Sequence, residues 1–213
     1  MRVLGVDPGL GRCGWAVVEQ DSGHARALGY DTVATRGEQV APRLAELASR
    51  LRAVIAKYEP DSFAIERLFV NANVRTAMTV GQAAGVALLV AAEHGLAVAT
   101  YTPSQVKRAV VGTGRAPKAQ VGYMVRALLA LEAPPTPADT ADALAVALCH
   151  LHHAASAGWA SAAPGGSGDP GSRSGGPGGS GDPGGPARPT GLAAATAADW
   201  LARAAPTSPR RGP

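Results

Sequence analysis

The sequence predicts an α/β fold, a five-stranded mixed sheet with helices on both faces. Short apolar runs separated by turn residues open the chain, as in antiparallel strands. Later apolar runs alternate with helical patterns, as in parallel strands joined by crossovers. An apolar share of 46% in 213 residues is enough to fill a core.

The first three strands are predicted at 2–7, 13–20 and 25–35, where turn-rich loops make them antiparallel neighbours. A helix is predicted over 42–58, because five apolar residues recur on one face: Leu44, Leu47, Leu51, Val54 and Ile55. The next strand, 62–66, is apolar until its last residue, as expected of a central strand covered on both faces.

The remaining elements of the first 155 residues are mainly helical. A loop at 67–73 leads into a long helix that ends near Glu93, and a strand follows at 97–101. Further helices are predicted near 103–111, 118–131 and 137–153. The last of these is expected to begin at Pro137, with a capping box between Thr136 and Asp139.

Composition changes sharply after about residue 155. The next stretch repeats GGSGDPG and contains almost no apolar side chains, which predicts a flexible linker. Beyond it, 191–204 could form a short helix that includes Trp200, and both an unstructured tail and a partner-docking motif remain open. We therefore expect a folded domain at 1–154 and a disordered tail at 155–213.

The net charge of +4 is concentrated in one part of the chain. From Arg67 to Arg126 there are seven basic side chains and a single acid, Glu93. Such a segment favours a polyanionic partner, above all a phosphate backbone, although a solvated face would have the same composition. No signal peptide is recognisable, and the longest apolar run, 83–92, is about half a membrane span, so a cytoplasmic protein is expected.

Two acids end predicted strands. Asp7 lies in an Asp-Pro-Gly turn signature, and Glu66 ends the strand at 62–66. Each has an ordinary structural explanation alone. If the two strands are parallel neighbours, however, both acids emerge at the same sheet edge, with backbones roughly 5 Å apart.

Two further acids, Asp139 and Asp142, lie three residues apart at the start of the last helix. That helix is otherwise apolar nearly all round, so both should lie against the protein, where buried charges need a partner or a metal. Four oxygen ligands without His or Cys fit Mg²⁺ or Mn²⁺ rather than zinc. Two such ions can activate water and stabilise the leaving oxygen of a phosphodiester.

Four stretches of the chain resemble, in order and at family spacing, the successive motifs of the RuvC family, the Holliday-junction resolvases among the ribonuclease H-like nucleases. They are VDPGLGRCGWAVVE, FAIERLFVNANVRTAMTVGQAAGVALLVAA, PSQVKRAVVGTGRAPKAQV and ADTADALAVALCH. The resemblance covers roughly residues 1–154. It implies a ribonuclease H-like fold and a homodimer that cuts opposed strands of a four-way DNA junction using Mg²⁺, leaving 5′-phosphate and 3′-hydroxyl ends.

The resemblance also implies roles for individual residues. Asp7, Glu66, Asp139 and Asp142 match the metal-binding acids, and Lys107 and Lys118 match DNA-contacting lysines. Phe69 matches an aromatic residue that stacks on bases near the crossover. We add Arg75 and Arg115 as candidate DNA contacts, because they belong to the basic segment. Branch-migration proteins of the RuvA and RuvB type are implied as partners.

Some features leave alternatives open. Ala84 stands where many relatives carry a basic residue, and Gly81 and Gly85 could serve either packing within the chain or a dimer contact. A junction-binding protein without catalysis would not need the four acids. An actin-like or sugar-kinase ATP-binding domain would need a second lobe, for which about 155 folded residues leave no room.

Overall fold

A computed structural model of the chain describes residues 1–67 and 74–157. The strands are β1 (Arg2–Asp7), β2 (Arg12–Asp21), β3 (His24–Ala34), β4 (Ser62–Glu66) and β5 (Ala97–Tyr101). The helices are α1 (Val40–Tyr58), α2 (Val74–Glu93), α3 (Pro103–Val111), α4 (Lys118–Leu128) and α5 (Ala138–Ala157). The predictions for Phe69 and for the tail beyond residue 157 lie outside the described residues.

The five strands form one mixed sheet in the order β3-β2-β1-β4-β5. The first three strands pair antiparallel, and β4 pairs parallel with both β1 and β5. This is the predicted topology, and it makes β1 and β4 neighbours at the middle of the sheet.

The strands alternate their side chains between two apolar layers. On one face, Val3 and Ala64 pack in a core formed with α3, α4 and α5. On the other, Leu4 and Phe63 pack in a core formed with α1 and α2. Because side chains alternate with a period of two, the last residues of β1 and β4 point toward the α5 layer.

Two glycines let α5 lie directly on the sheet. A Cβ atom on Gly5 of β1 would meet the backbone of Ala143 and Ala147, and one on Gly14 of β2 would meet the backbone of Asp139. These contacts leave no room for a side chain between helix and strand. The amino end of α5 is therefore held against the ends of β1 and β2.

The start of α5 corrects one prediction. The helix begins at Ala138, so Pro137 precedes it, and the carboxylate of Asp139 accepts a hydrogen bond from Arg12. Within the described ranges no hydrogen bond joins Thr136 to Asp139, so the capping box is not formed. A capping box of this kind does open α3, between Thr102 and Gln105.

The helix α2 has one apolar face in the core and another at the surface. Ala83, Ala87 and Val90 are fully buried, whereas Met78 is 63% exposed and Leu89 is 56% exposed. Its residues Thr76–Glu93, with a mean hydropathy of 1.3, are the one described segment long and apolar enough to cross a membrane, judged by length and composition only.

Candidate metal and nucleic-acid site

Asp7 and Glu66 lie side by side at the carboxyl ends of the two central strands. In the parallel pairing of β1 with β4, Val6 is opposite Ile65, and each acid is the next residue along its strand. Two residues back, Gly5 contacts α5 and Ala64 belongs to the α5-side core, so both acids face that helix. The predicted adjacency of these two residues is confirmed.

The turn that follows Asp7 is held by Thr35, the residue after β3, and by the first helix. The backbone N–H of Thr35 donates to the carbonyl of Gly11, and the Thr35 hydroxyl donates to the carbonyl of Leu10. Arg43 of α1 in turn donates to that hydroxyl from its Nε atom at 3.1 Å. These hydrogen bonds fix the turn immediately after Asp7. None of them uses the carboxylate of Asp7.

A cavity of about 340 Å³ opens where the sheet edge meets the helices. Three of the four predicted acids line it, together with both predicted lysines: Asp7, Glu66, Asp142, Lys107 and Lys118. The remaining lining residues come from α3, α4 and α5, namely Pro103, Val106, Val121 and Ala145. The cavity is therefore lined by carboxylates, ammonium groups and apolar side chains.

Burial and nearby negative charge raise the pKa values of the two strand-end residues. Burial, followed by the nearby carboxylates of Asp142 and Glu66, raises the pKa of Asp7 to about 7. Burial and Asp142 also raise the pKa of Glu66, while Lys118 and Lys107 act in the opposite direction. Like charges held close together in a partly desolvated site disfavour ionisation. A cation at this site would relieve that repulsion.

Asp142 is paired with Lys118 across the cavity. The Nζ atom of Lys118 lies 2.6 Å from Oδ2 of Asp142, and the lysine side chain is 69% exposed while the aspartate is 18% exposed. This hydrogen bond raises the pKa of Lys118. The lysine thus partly neutralises the acid cluster and remains largely accessible to solvent.

Asp139 is paired with Arg12 at the side of the cavity. The Nε atom of Arg12 lies 2.6 Å from Oδ2 of Asp139. Asp139 contributes to the negative potential at Asp7, but it is the one predicted acid that does not line the cavity. Across residues 1–67 and 74–157, no three acid, His or Cys side chains are gathered as ligands around one point. The fold thus brings four acids to one edge, two of them bonded to basic partners.

The predicted DNA contacts lie at different places. Lys107 of α3 and Lys118 of α4 line the cavity. Arg115 is exposed in the α3–α4 loop and does not line it. Arg75 belongs to the first turn of α2, and its side chain, like the whole of Phe69, is outside the described part of the chain.

Sequence reasoning missed Arg12 as a member of the site. The motif that contains it, VDPGLGRCGWAVVE, resembles the family's, but the sequence alone gives this arginine no role. The available signal was strand alternation, since Arg12 lies two residues before Gly14 and so shares the face that meets α5. What the sequence could not show is that Asp139, 127 residues away, lies opposite that face.

Comparison with known proteins identifies the family. The family model described as "Crossover junction endodeoxyribonuclease RuvC" matches residues 3–150. The chain is 52% identical over 155 residues to the crossover junction endodeoxyribonuclease RuvC of Moorella thermoacetica, covering 72% of this chain and 93% of that protein. It is 54% identical over 153 residues to the protein of the same description from Frankia alni, covering 71% and 78%.

Solved structures agree with these relatives. The chain matches the Thermus thermophilus RuvC structure with a TM-score of 0.68 and 37% identity, covering 74% of this chain and 97% of that one. It matches T. thermophilus RuvC in complex with Holliday junction substrate with a TM-score of 0.70, also at 37% identity, covering 74% and 96%. The fold, the ordered motifs and these relatives together place this chain in the RuvC family of crossover junction endodeoxyribonucleases.

Proposed function

We propose that this chain resolves four-way DNA junctions by hydrolysing phosphodiesters symmetrically in opposed strands. One observation supports this beyond family membership. The cavity at the sheet edge places Asp7, Glu66 and Asp142 beside Lys107 and Lys118, which combines ligands for a cation with donors for phosphate. A related protein of Thermus thermophilus has been solved with a Holliday junction substrate.

The acids suit a hard divalent cation, Mg²⁺ or Mn²⁺. The donor set is made of carboxylate oxygens, which these ions prefer over His or Cys. Burial first, and then repulsion from neighbouring carboxylates, raises the pKa of Asp7 to about 7, and a bound cation would offset that repulsion. Asp7, Glu66, Asp139 and Asp142 would hold two ions. When bound, such ions supply an activated water and stabilise charge on the leaving oxygen.

The remaining groups bind and orient the DNA strand. Lys107 and Lys118 project from two helices into the same cavity, so each can contact a phosphate beside the acids. Arg115 is exposed, and Arg115 and Arg75 are proposed as further phosphate contacts. Phe69 stacks on bases near the crossover. Hydrolysis at this position leaves a 5′-phosphate and a 3′-hydroxyl, ends that can be religated.

The exposed face of α2 supports a homodimer. Its residues recur at helical spacing and include Met78, Gly81, Gly85, Leu88 and Leu89, all exposed. A Cβ atom on Gly81 or Gly85 would meet nothing within 4 Å, so packing within the described chain does not explain these glycines. A second copy could approach this helix closely, and two copies would present two sites to opposed strands. Ala84, by contrast, is 9% exposed and belongs to the core.

Cellular context completes the proposal. We place the protein in the cytoplasm, associated with the nucleoid, because its substrate is chromosomal DNA undergoing recombination and repair. Branch-migration proteins of the RuvA and RuvB type are proposed partners, since they act on the same four-way structure.

The test is cleavage of a synthetic four-way junction in Mg²⁺ by the parent chain and by Asp7→Asn. We expect the parent to nick opposed strands at symmetrical positions, and Asp7→Asn to bind the junction but to cut at least about 100-fold more slowly. Asp21→Asn, a change at the exposed last residue of β2, is the matched control and should cut normally. Equal cleavage by parent and Asp7→Asn would overturn the assignment of the acids, whereas binding without cleavage by the parent would favour a non-catalytic junction-binding protein.

A further inference from the structure

Arg12 forms an ion pair that the proposed reaction does not use. Its Nε atom donates to Oδ2 of Asp139 at 2.6 Å, with the arginine side chain 51% exposed and the aspartate 29% exposed. A guanidinium at this distance from a carboxylate makes a short, charge-assisted hydrogen bond. One oxygen of a predicted metal ligand is therefore already bonded to a protein cation.

The backbone around this pair is fixed by the packing of α5 on the sheet. Arg12 begins β2 and lies opposite Ala34 in the pairing with β3. Two residues later, Gly14 lies opposite Asp7 in the pairing with β1 and abuts the backbone of Asp139. Strand register thus brings the arginine to the first turn of the helix, on the side of Asp7.

The pair separates Asp139 from the other three acids. Asp7, Glu66 and Asp142 line the same cavity, whereas Asp139 is bonded to Arg12 beside it. Asp142 also has a basic partner, but Lys118 itself lines the cavity and is a proposed phosphate contact. Arg12 does not line the cavity, so its contact with Asp139 is the feature to be explained.

We infer that Arg12 is a positioning residue that competes with a divalent cation for Asp139. This inference rests on the proposed function, in which Asp139 is a metal ligand. In the protein alone the guanidinium neutralises Asp139 and holds its carboxylate beside the cavity. A cation that binds Asp139 through this oxygen must displace the arginine, so Arg12 weakens cation binding in the absence of DNA.

The experiment is a titration of the full chain with Mn²⁺ alone, followed by the electron paramagnetic resonance signal of unbound Mn²⁺. We expect Arg12→Ala and Arg12→Gln each to tighten Mn²⁺ binding by about threefold to tenfold, the size of effect expected for losing one competing ion pair. Arg12→Gln keeps a hydrogen-bond donor and nearly the same bulk, so it provides a second reading if Arg12→Ala folds poorly.

Two controls separate competition at Asp139 from a general change in charge. Arg26→Ala removes an arginine whose Nη2 lies 2.8 Å from Glu19, elsewhere on the sheet, and should leave Mn²⁺ binding unchanged. In an Asp139→Asn background, Arg12→Ala should give no further gain. A gain that persists in that background would overturn the inference, because it would then arise from long-range electrostatics.

Other outcomes are equally decisive. Unchanged or weaker Mn²⁺ binding in both Arg12 variants, or no Mn²⁺ binding by any of the proteins, would overturn the inference. Junction cleavage by the same parent preparation separates this result from the proposed function. If the parent cleaves junctions and the Mn²⁺ result fails, only the role of Arg12 is lost; if the parent does not cleave, the proposed function fails whatever the titration shows.

Discussion

Asp7 has an unusual electrostatic environment for an aspartate at the end of a strand. Burial and the adjoining carboxylates raise its pKa from 3.8 to about 7. Between these values the folded protein binds a proton that the unfolded chain releases, so the free energy of unfolding falls as pH rises through this window. Ionised Asp7 therefore destabilises the cation-free fold at pH 8.

The first prediction concerns this destabilisation. In EDTA at pH 8, Asp7→Asn should raise the melting temperature by about 3–8 °C, because the amide removes a charge that costs about 1–2 kcal/mol. At pH 3.5, where Asp7 is protonated in the folded state and mostly protonated in the unfolded chain, the difference should become small. Calorimetry across pH 3.5–8 measures it, with Asp21→Asn as control; a lower melting temperature for Asp7→Asn at pH 8 would contradict the prediction.

At the residue scale, a contact can be predicted when it follows from the periodicity of strands or helices. Asp7 and Glu66 were paired correctly from sequence, because each ends an apolar strand and parallel neighbours share an edge. Asp139 and Asp142 were placed at the right end of the right helix. Their bonds to Arg12 and Lys118 were not foreseen, since side-chain pairing across separate elements leaves no periodic signal.

The helix α5 is positioned by glycines on the two strands beneath it. Gly14→Ala would drive a Cβ atom into the backbone of Asp139, which cannot move without displacing the helix. We expect this variant to lose about 2–3 kcal/mol of unfolding free energy, as overpacked cores do, and to weaken Mn²⁺ binding because Asp139 shifts. Urea denaturation and Mn²⁺ titration measure the two effects.

A matched glycine provides the control for that prediction. Gly122 lies within α4, and an added Cβ atom would meet nothing within 4 Å. Gly122→Ala should stabilise the protein by about 0.5–1 kcal/mol through higher helix propensity. If both variants had the same effect on stability, close packing at Gly14 would not be the cause.

The exposed face of α2 gives a prediction about assembly. Leu89 is 56% exposed on this face, and Leu89→Glu would place a charge in the proposed dimer contact. We expect the variant to sediment as a monomer at micromolar concentration where the parent is a dimer, with the melting curve still cooperative. Val98→Glu, an exposed site on the edge strand β5, is the comparison and should remain dimeric.

Elements with strong periodic signals were predicted within a few residues. The strands at 62–66 and 97–101 and the helix at 103–111 have the predicted bounds. The bounds of α4 and α5 differ from the predicted ones. The helix α4 ends at Leu128 instead of 131, and α5 begins at Ala138 instead of Pro137. At the start of α5 the carboxylate of Asp139 is bonded to Arg12 of β2, a contact between distant elements that helical periodicity does not reveal.

At the scale of the whole molecule, the family resemblance is confined to the first part of the chain. The family model ends at residue 150, and the Moorella relative is matched over 93% of its own length by only 72% of this chain. We predict that a protein ending at residue 157 binds and cuts junctions within about twofold of the full chain, a difference under about 0.5 kcal/mol. Single-turnover cleavage of both proteins measures this, and a loss above tenfold would assign a role to the remaining residues.

At Gly5 and Gly14 no strand side chain separates α5 from the sheet, and this close contact has a practical consequence for redesign. At these two positions the helix backbone packs directly on the strand backbone, so main-chain packing sets where Asp139 lies relative to Asp7. Substituting the exposed Arg115 of the α3–α4 connection should therefore alter which branched nucleic acid is selected and leave these carboxylates in place.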